Sequence, residues 1–167
     1  MNFIDVTTWK QGLLLAPDQF LWLMGGMGIT AVIVFVCLYF VNAGYGKMIS
    51  AKWGPAISNK TAWILMECPV FFLLVSFWVL RPRNFDTAPL IFFLLFELHY
   101  FQRSFIFPFL LKGKSKMPIA IMLMGMIFNT LNGYLQGEWI FFIAPDDMYT
   151  AAWITTPQFI VGVLLFF

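Results

Sequence analysis

Four long apolar runs dominate this sequence and restrict the folds that are open to it. They lie at about residues 20–43, 62–80, 88–111 and 117–144. Each reaches the length of about 20 residues that an α-helix needs to cross a hydrocarbon core of roughly 30 Å. Such runs fold as helices because backbone polar groups must be satisfied inside a bilayer. We therefore predict an all-α, polytopic transmembrane helix bundle that forms one domain over residues 1–167.

The composition agrees with a lipid bilayer as the solvent of this chain. Its 167 residues are 61% hydrophobic and 11% charged, whereas a soluble domain carries roughly 25% charged residues. A water-exposed surface with so few charges would contain large apolar patches. The net charge of +2 is too small to favour nucleic acid as a partner. The predicted partner is therefore the bilayer itself.

A fifth apolar run begins near Pro157 and continues to Phe167 without a cap or a flanking charge. Helices of complete proteins usually end with such signals. From this pattern we expect the sequence to be the front part of a longer protein, with the fifth helix spanning 157–167 and onward.

The basic residues of the connectors predict an orientation. The connectors after the first and third runs contain six of them, Lys47, Lys52, Lys60, Lys112, Lys114 and Lys116. The opposite side contains three, Lys10, Arg81 and Arg83. The positive-inside rule then places the lysine loops in the cytoplasm and the N-terminus outside or in the lumen. We expect a multi-pass protein of the bacterial inner membrane or the endoplasmic reticulum.

Polar side chains at membrane depth are the candidate functional groups, because charged groups in a bilayer are costly and usually face the bundle interior. Glu67 lies in the second run, and Tyr100 and Arg103 share one face of the third. A cavity between the second, third and fourth helices, open to the cytoplasm, would collect them. Glu67 has no basic residue within a helical turn, and a desolvated carboxyl group of this kind is more stable as the neutral acid.

Structural interpretations compete for the same polar residues. Asn129, Asn132 and Gln136 share one face of the fourth run, a pattern that also fits hydrogen bonds from helix to helix. Arg103 also fits an ion pair with a carboxylate such as Glu97.

Four further residues have simple structural interpretations. His99 alone fits a satisfied histidine in the protein interior. Glu138, near the end of the fourth run, fits a solvated position. Gly133 and Gly137 form a small-xxx-small pair, which predicts close helix packing.

Four segments resemble motifs of the steroid 5α-reductase family, in the family's order and with similar spacing. The family motifs are a Tyr-Gly-Lys turn, Ala-Trp-x-x-x-Glu-x-Pro, His-Tyr-Phe-x-Arg-Thr/Ser-Phe and Asn-Gly-x-Leu-Gln. The matching segments are 44–47 (Gly-Tyr-Gly-Lys), 62–69 (Ala-Trp-Ile-Leu-Met-Glu-Cys-Pro), 98–108 (Leu-His-Tyr-Phe-Gln-Arg-Ser-Phe-Ile-Phe-Pro) and 129–137 (Asn-Thr-Leu-Asn-Gly-Tyr-Leu-Gln-Gly).

The resemblance implies a seven-helix membrane reductase that uses NADPH to reduce an α,β-unsaturated ketone. The usual substrate is a 3-oxo-Δ4-steroid, whose C4=C5 bond receives hydride at C5. By match to the motifs, Glu67 and Tyr100 would hold the 3-keto oxygen. The residues expected at the steroid are Trp63, Phe128 and His99. Those expected at the cofactor are Lys47, Arg103, Lys114, Asn132 and Gln136, and no metal site is implied.

The polar residues suit this chemistry. Conjugate reduction builds negative charge on the carbonyl oxygen, and two neutral donors, a phenol and a protonated carboxylic acid, stabilise that enolate in a dry site. An apolar slot between helices suits a sterol that arrives from the membrane.

Two alternative functions remain open. The first keeps the family and changes the substrate to another enone or enoyl lipid, such as an enoyl-thioester or a polyprenal. The second is a small-solute transporter, in which intramembrane polar groups line a pathway. We expect no helix with a mid-span proline break, which disfavours the transporter.

Overall fold

The computed structural model describes residues 14–41, 44, 49–81, 87–145 and 147–166. In this part of the chain, four helices are long and apolar enough to cross a membrane. They are α1 (Pro17–Cys37), α2 (Asn59–Leu80), α3 (Thr87–Leu110) and α4 (Ile119–Ile143). A shorter apolar helix, α5, spans Pro157–Phe166. The predicted helix bundle is confirmed, and the chain is that of an integral membrane protein.

Helix α1 is displaced toward the N-terminus relative to the predicted run. It begins at Pro17 and ends at Cys37, whereas the apolar run covers 20–43. Proline suits the first turn of a helix, where its missing N–H would have no intrahelical acceptor. Helix α2 begins three residues earlier than predicted, and the bounds of α3 and α4 differ from prediction by one or two residues.

A short antiparallel sheet, which the sequence analysis does not predict, joins two connectors. Strand β1 (Ala56–Ser58) pairs with β2 (Lys116–Pro118), with Ile57 opposite Met117. The Asn59 N–H extends the pairing by donating to the Ser115 carbonyl at 3.0 Å. Because α2 and α4 follow directly after these strands, the sheet holds their first turns side by side. This end of the bundle, here named the lysine end, carries Lys60, Lys112, Lys114 and Lys116.

Two glycines of α4 allow α2 to pack closely against it. A Cβ atom at Gly133 would lie 2.2 Å from Val70 Cγ2, and one at Gly137 would lie 2.2 Å from Phe77 Cδ2. Val70 and Phe77 are buried. Small residues at such positions let two helix backbones approach within a membrane. The small-xxx-small pair of the sequence therefore packs as predicted.

We expect Gly133→Ala to lower the free energy of unfolding by about 1–3 kcal/mol, because the added methyl group forces the stiff Val70 side chain to move. Thermal unfolding of the purified protein in detergent micelles measures this change. Gly28→Ala in α1, where nothing lies within 4 Å of the added Cβ, is the matched control. Equal unfolding midpoints for the two variants would contradict the packing argument.

A π-helical turn interrupts α3 at Gln102–Ile106. In this turn the Phe107 N–H donates to the carbonyl of Gln102, five residues earlier. Pro108 follows and has no N–H to continue the α-helical ladder, which explains why the wider turn forms here. A second π-helical turn, Trp139–Ile143, ends α4 shortly before Pro145. The turn in α3 changes the direction in which the side chains after Phe101 point.

Helix α2 contains Pro69 but has no break there, in agreement with the expectation that no helix has a mid-span proline break. The proline removes one backbone donor from the helix. Helix α2 nevertheless runs without a break from Asn59 to Leu80. It is therefore not a discontinuous helix of the kind that forms substrate sites in transporters.

Candidate functional site

Glu67 lies where α2 meets α3 and α4, and it is 1% exposed. Arg103 Nη2 of α3 donates to Glu67 Oε1 at 2.7 Å. Asn129 Nδ2 of α4 donates to Glu67 Oε2 at 2.9 Å. A buried carboxyl group is stable in such a position only when its oxygens have partners. The three side chains therefore tie three helices together at one point in the bundle interior.

The ion pair with Arg103 corrects the expectation that Glu67 lacks a basic partner. Both carboxyl oxygens of Glu67 accept a hydrogen bond in this arrangement. The guanidinium of Arg103 also lies 4.8 Å from the centre of the Trp63 ring, a cation–π distance. Glu97, the alternative partner considered for Arg103, is buried, and neither of its oxygens has a hydrogen-bond partner among the described residues.

Tyr100 of α3 is 7% exposed and faces the same interior as Glu67. Its hydroxyl is hydrogen-bonded to the side chain of Asn132 on α4, and it lies within electrostatic range of both Glu67 and Arg103. The ring packs on Phe96 with 4.6 Å between ring centres. Both residues expected to hold a ketone oxygen thus point into the bundle from neighbouring helices.

The three residues expected at the substrate are outside the lining of the apolar slot described next, although Trp63 contacts Arg103. Trp63 packs edge-on against Phe107, with 5.0 Å between ring centres. Phe128 is 51% exposed on α4. His99 stacks on Phe166 of α5 at 4.5 Å.

An apolar slot with a volume of about 680 Å³ lies between α1 and α4. It is lined by Pro17, Phe20, Leu21, Met24, Met27, Asn132, Leu135, Gln136, Trp139 and Ile143. The cavity predicted between the second, third and fourth helices was to collect the polar side chains, and Glu67, Arg103 and Asn129 do meet between these helices. Asn132 is the α4 residue of the slot nearest the lysine end and is also hydrogen-bonded to Tyr100. The slot therefore ends beside the polar cluster, and its volume is within the roughly 300–1,000 Å³ of small-molecule sites.

A second apolar cavity, of about 380 Å³, lies between α3, α4 and α5. It shares Gln136 and Trp139 with the slot, and its other walls are mainly aromatic rings. Gln136, expected at a cofactor, therefore lies between two apolar spaces and away from the lysine end.

A pocket of about 290 Å³ at the lysine end presents three ammonium groups. Its lining is Ser58, Asn59, Lys60, Leu111, Gly113, Lys114, Ser115 and Lys116. Lysine ammonium groups and hydroxyls are suitable donors to a phosphate. Lys114 was expected at a cofactor, and Lys60 and Lys116 were recognised only as orientation signals. Lys47 lies outside the described residues.

Two further polar residues have different outcomes, since the interpretation of Asn129 is confirmed and that of Glu138 is wrong. Asn129 was interpreted as a helix-to-helix hydrogen bond, and its bond to Glu67 is one. Glu138 was expected to be solvated, but it is 1% exposed and accepts the Leu15 N–H at 2.6 Å. Local spacing gives no signal for such a contact because its partner lies 123 residues away.

Comparisons with known proteins give a consistent result. A family profile described as 3-oxo-5-alpha-steroid 4-dehydrogenase matches residues 115–167. Steroid 5-alpha-reductase DET2 of Arabidopsis thaliana is 33% identical over 137 residues, which are 78% of this chain and 52% of that protein. 3-oxo-5-alpha-steroid 4-dehydrogenase 2 of Sus scrofa is 33% identical over 147 residues, which are 86% of this chain and 56% of that protein. The chain thus spans about half the length of the curated relatives it matches.

Proposed function

Because this chain belongs to the steroid 5α-reductase family, we propose that the full-length protein reduces the C4=C5 double bond of a 3-oxo-Δ4-steroid. The observation that carries the proposal is the position of Asn132, which lines an apolar slot and is also hydrogen-bonded to Tyr100, itself within electrostatic range of Glu67. A lipophilic ring system fits the apolar walls, and its ketone fits the polar end. The slot is also accessible to a substrate dissolved in the membrane, since Leu21 and Met24 in its lining are exposed.

The residues of the chain act on the ketone oxygen. Tyr100 donates a hydrogen bond to it and stabilises the negative charge that develops there as C5 receives hydride. In this proposal the ketone replaces the Arg103 guanidinium at Glu67 Oε1, and Glu67, protonated at that oxygen, donates a second hydrogen bond. Asn129 holds the other oxygen and keeps the carboxyl group directed into the bundle. Apolar side chains along the slot exclude water, so each of these hydrogen bonds is stronger than it would be in solution.

We propose NADPH as the reductant. When bound, it supplies the hydride that goes to C5, and a proton from solvent completes C4. The donor set of the lysine pocket fits a phosphate group, and Lys60, Lys114 and Lys116 would hold one there. Arg103, Asn132 and Gln136 stay proposed cofactor contacts, although Arg103 is engaged with Glu67 in this structure. The lysine loops are proposed to face the cytoplasm, where this cofactor is available.

The full-length protein in lipid nanodiscs is expected to oxidise NADPH when a 3-oxo-Δ4-steroid is added, with one 5α-reduced steroid formed for each NADPH consumed. The absorbance of NADPH measures the cofactor consumed, and chromatography measures the 5α-reduced steroid formed. Parallel reactions with an enoyl-thioester and a polyprenal test the alternative substrates. Reduction of one of these, with no turnover of any 3-oxo-Δ4-steroid, would contradict the steroid assignment and keep the reductase.

A further inference from the structure

Helix α1 is held to the rest of the bundle mainly near its first turn. Phe20 is its buried residue, and the Phe20 ring stacks on Trp139 of α4 with 6.3 Å between ring centres. Farther along, large side chains such as Ile33 and Phe35 are exposed. Because the other end of α1 has few contacts, the contacts at its first turn determine the position and tilt of the whole helix.

Glu138 supplies the polar contact at this fixed end. Its Oε1 accepts the N–H of Leu15, two residues before α1 begins. The side chain of Tyr134, one turn earlier on α4, is hydrogen-bonded to the same carboxyl group. Oε2 of Glu138 has no hydrogen-bond partner among the described residues. A buried carboxyl group with this environment forms a strong, short tie between the N-terminal segment and α4.

We propose that Glu138 is a positioning residue that sets the spacing between α1 and α4, and with it the width of the slot. Glu138 does not itself line the slot, so it acts on a bound molecule only through α1. This inference rests on the proposed function, because it takes the slot as the site of the lipophilic enone. Glu138 determines how tightly the enone is held, whereas Tyr100 and Glu67 determine how fast it reacts.

Steady-state kinetics of the full-length protein test this division. Glu138→Ala removes the acceptor of the Leu15 N–H and is expected to raise KM for the enone about 10-fold, as loss of the hydrogen-bond partner of a buried group does, with kcat within about 3-fold of the parent. Glu138→Gln keeps a side-chain oxygen at the same place and is expected to restore most of the affinity. Asp147→Ala, an exposed carboxylate near the same end, is the matched control and is expected to leave KM unchanged.

A distance measurement tests the same inference without any turnover. Cys37 is exposed at the far end of α1, and spin labels on Cys37 and on Lys116→Cys, with other cysteines replaced, report the position of α1. We expect the distance distribution to broaden in Glu138→Ala and in the shorter Glu138→Asp, and to narrow again in Glu138→Gln. Unchanged distances, or an unchanged KM in Glu138→Ala, would overturn the proposal. A parent protein that reduces no enone would refute the proposed function, while the distances would still decide the role of Glu138.

Discussion

Replacing Tyr100 by phenylalanine is expected to lower kcat of the proposed enone reduction by the full-length protein about 10²–10³-fold, the effect typical of losing one donor to a developing oxyanion. Tyr100 is buried, lies within electrostatic range of Glu67, and is hydrogen-bonded to Asn132, which lines the slot. Its hydroxyl is the donor that can reach a ketone there without breaking the contact between Glu67 and Arg103. Steady-state kinetics at saturating NADPH, with product analysis, measure the loss. KM is expected to change much less than kcat, because the hydrogen bond strengthens as charge develops.

Tyr39→Phe is the matched control for this substitution. Tyr39 lies just after α1 and is exposed, so removal of its hydroxyl is expected to leave kcat unchanged. Thermal unfolding of both variants separates catalysis from folding, since Tyr100→Phe also loses its bond to Asn132. A Tyr100→Phe enzyme with normal kcat would show that the ketone is held by other groups.

Substitutions at Glu67 extend the same argument. Glu67→Gln keeps a side chain that can donate a hydrogen bond and is expected to keep partial activity. Glu67→Ala has no donor and is expected to lose activity to about the same extent as Tyr100→Phe. Full activity in Glu67→Ala would remove this residue from the proposed group of ketone donors.

The transmembrane helices could be predicted because each one requires a run of consecutive apolar residues, which is visible in the sequence. The apolar runs gave the four long helices, and the end of α1 was the main error. Residues such as Phe40 and Val41 are apolar enough to continue the run, but they form a turn. The apolar composition of a segment shows that a bilayer can accommodate it, but it does not show where the helix ends. The β1–β2 sheet and the Leu15–Glu138 bond were missed because each joins segments that are distant in sequence.

The residues of the polar cluster could also be predicted, but their pairing could not. The predicted depth of these side chains in the membrane, together with their spacing along the helices, predicted that Glu67, Tyr100 and Arg103 lie close together. Helical spacing also offered Glu97 as a partner for Arg103. The π-helical turn that contains Arg103 departs from the regular angular spacing of α3, and the guanidinium meets Glu67 on the neighbouring helix. The apolar slot could not be assigned to particular helices, since the sequence does not tell which side of α4 faces α1.

Arg103→Gln is expected to lower the free energy of unfolding by about 2–3 kcal/mol, because it leaves the buried Glu67 without its charged partner. Loss of one partner from a fully buried ion pair costs about 3–5 kcal/mol. The Arg103 side chain is 36% exposed, so water that reaches its position reduces that cost. Unfolding midpoints in detergent micelles measure the change. Lys112→Gln, an exposed basic residue at the lysine end, is the control and is expected to have little effect.

The double variant Glu67→Gln/Arg103→Gln tests whether the stability lost in Arg103→Gln comes from the contact between Arg103 and Glu67. Once Glu67 is an amide, no unpaired charge stays in the interior, and Asn129 can still hydrogen-bond to its oxygen. The double variant is therefore expected to be more stable than Arg103→Gln alone, with a coupling free energy of about 1–3 kcal/mol in the mutant cycle. A cycle with no coupling would mean that Arg103 stabilises the bundle through its contact with Trp63, and that the carboxyl group of Glu67 is not held by the guanidinium.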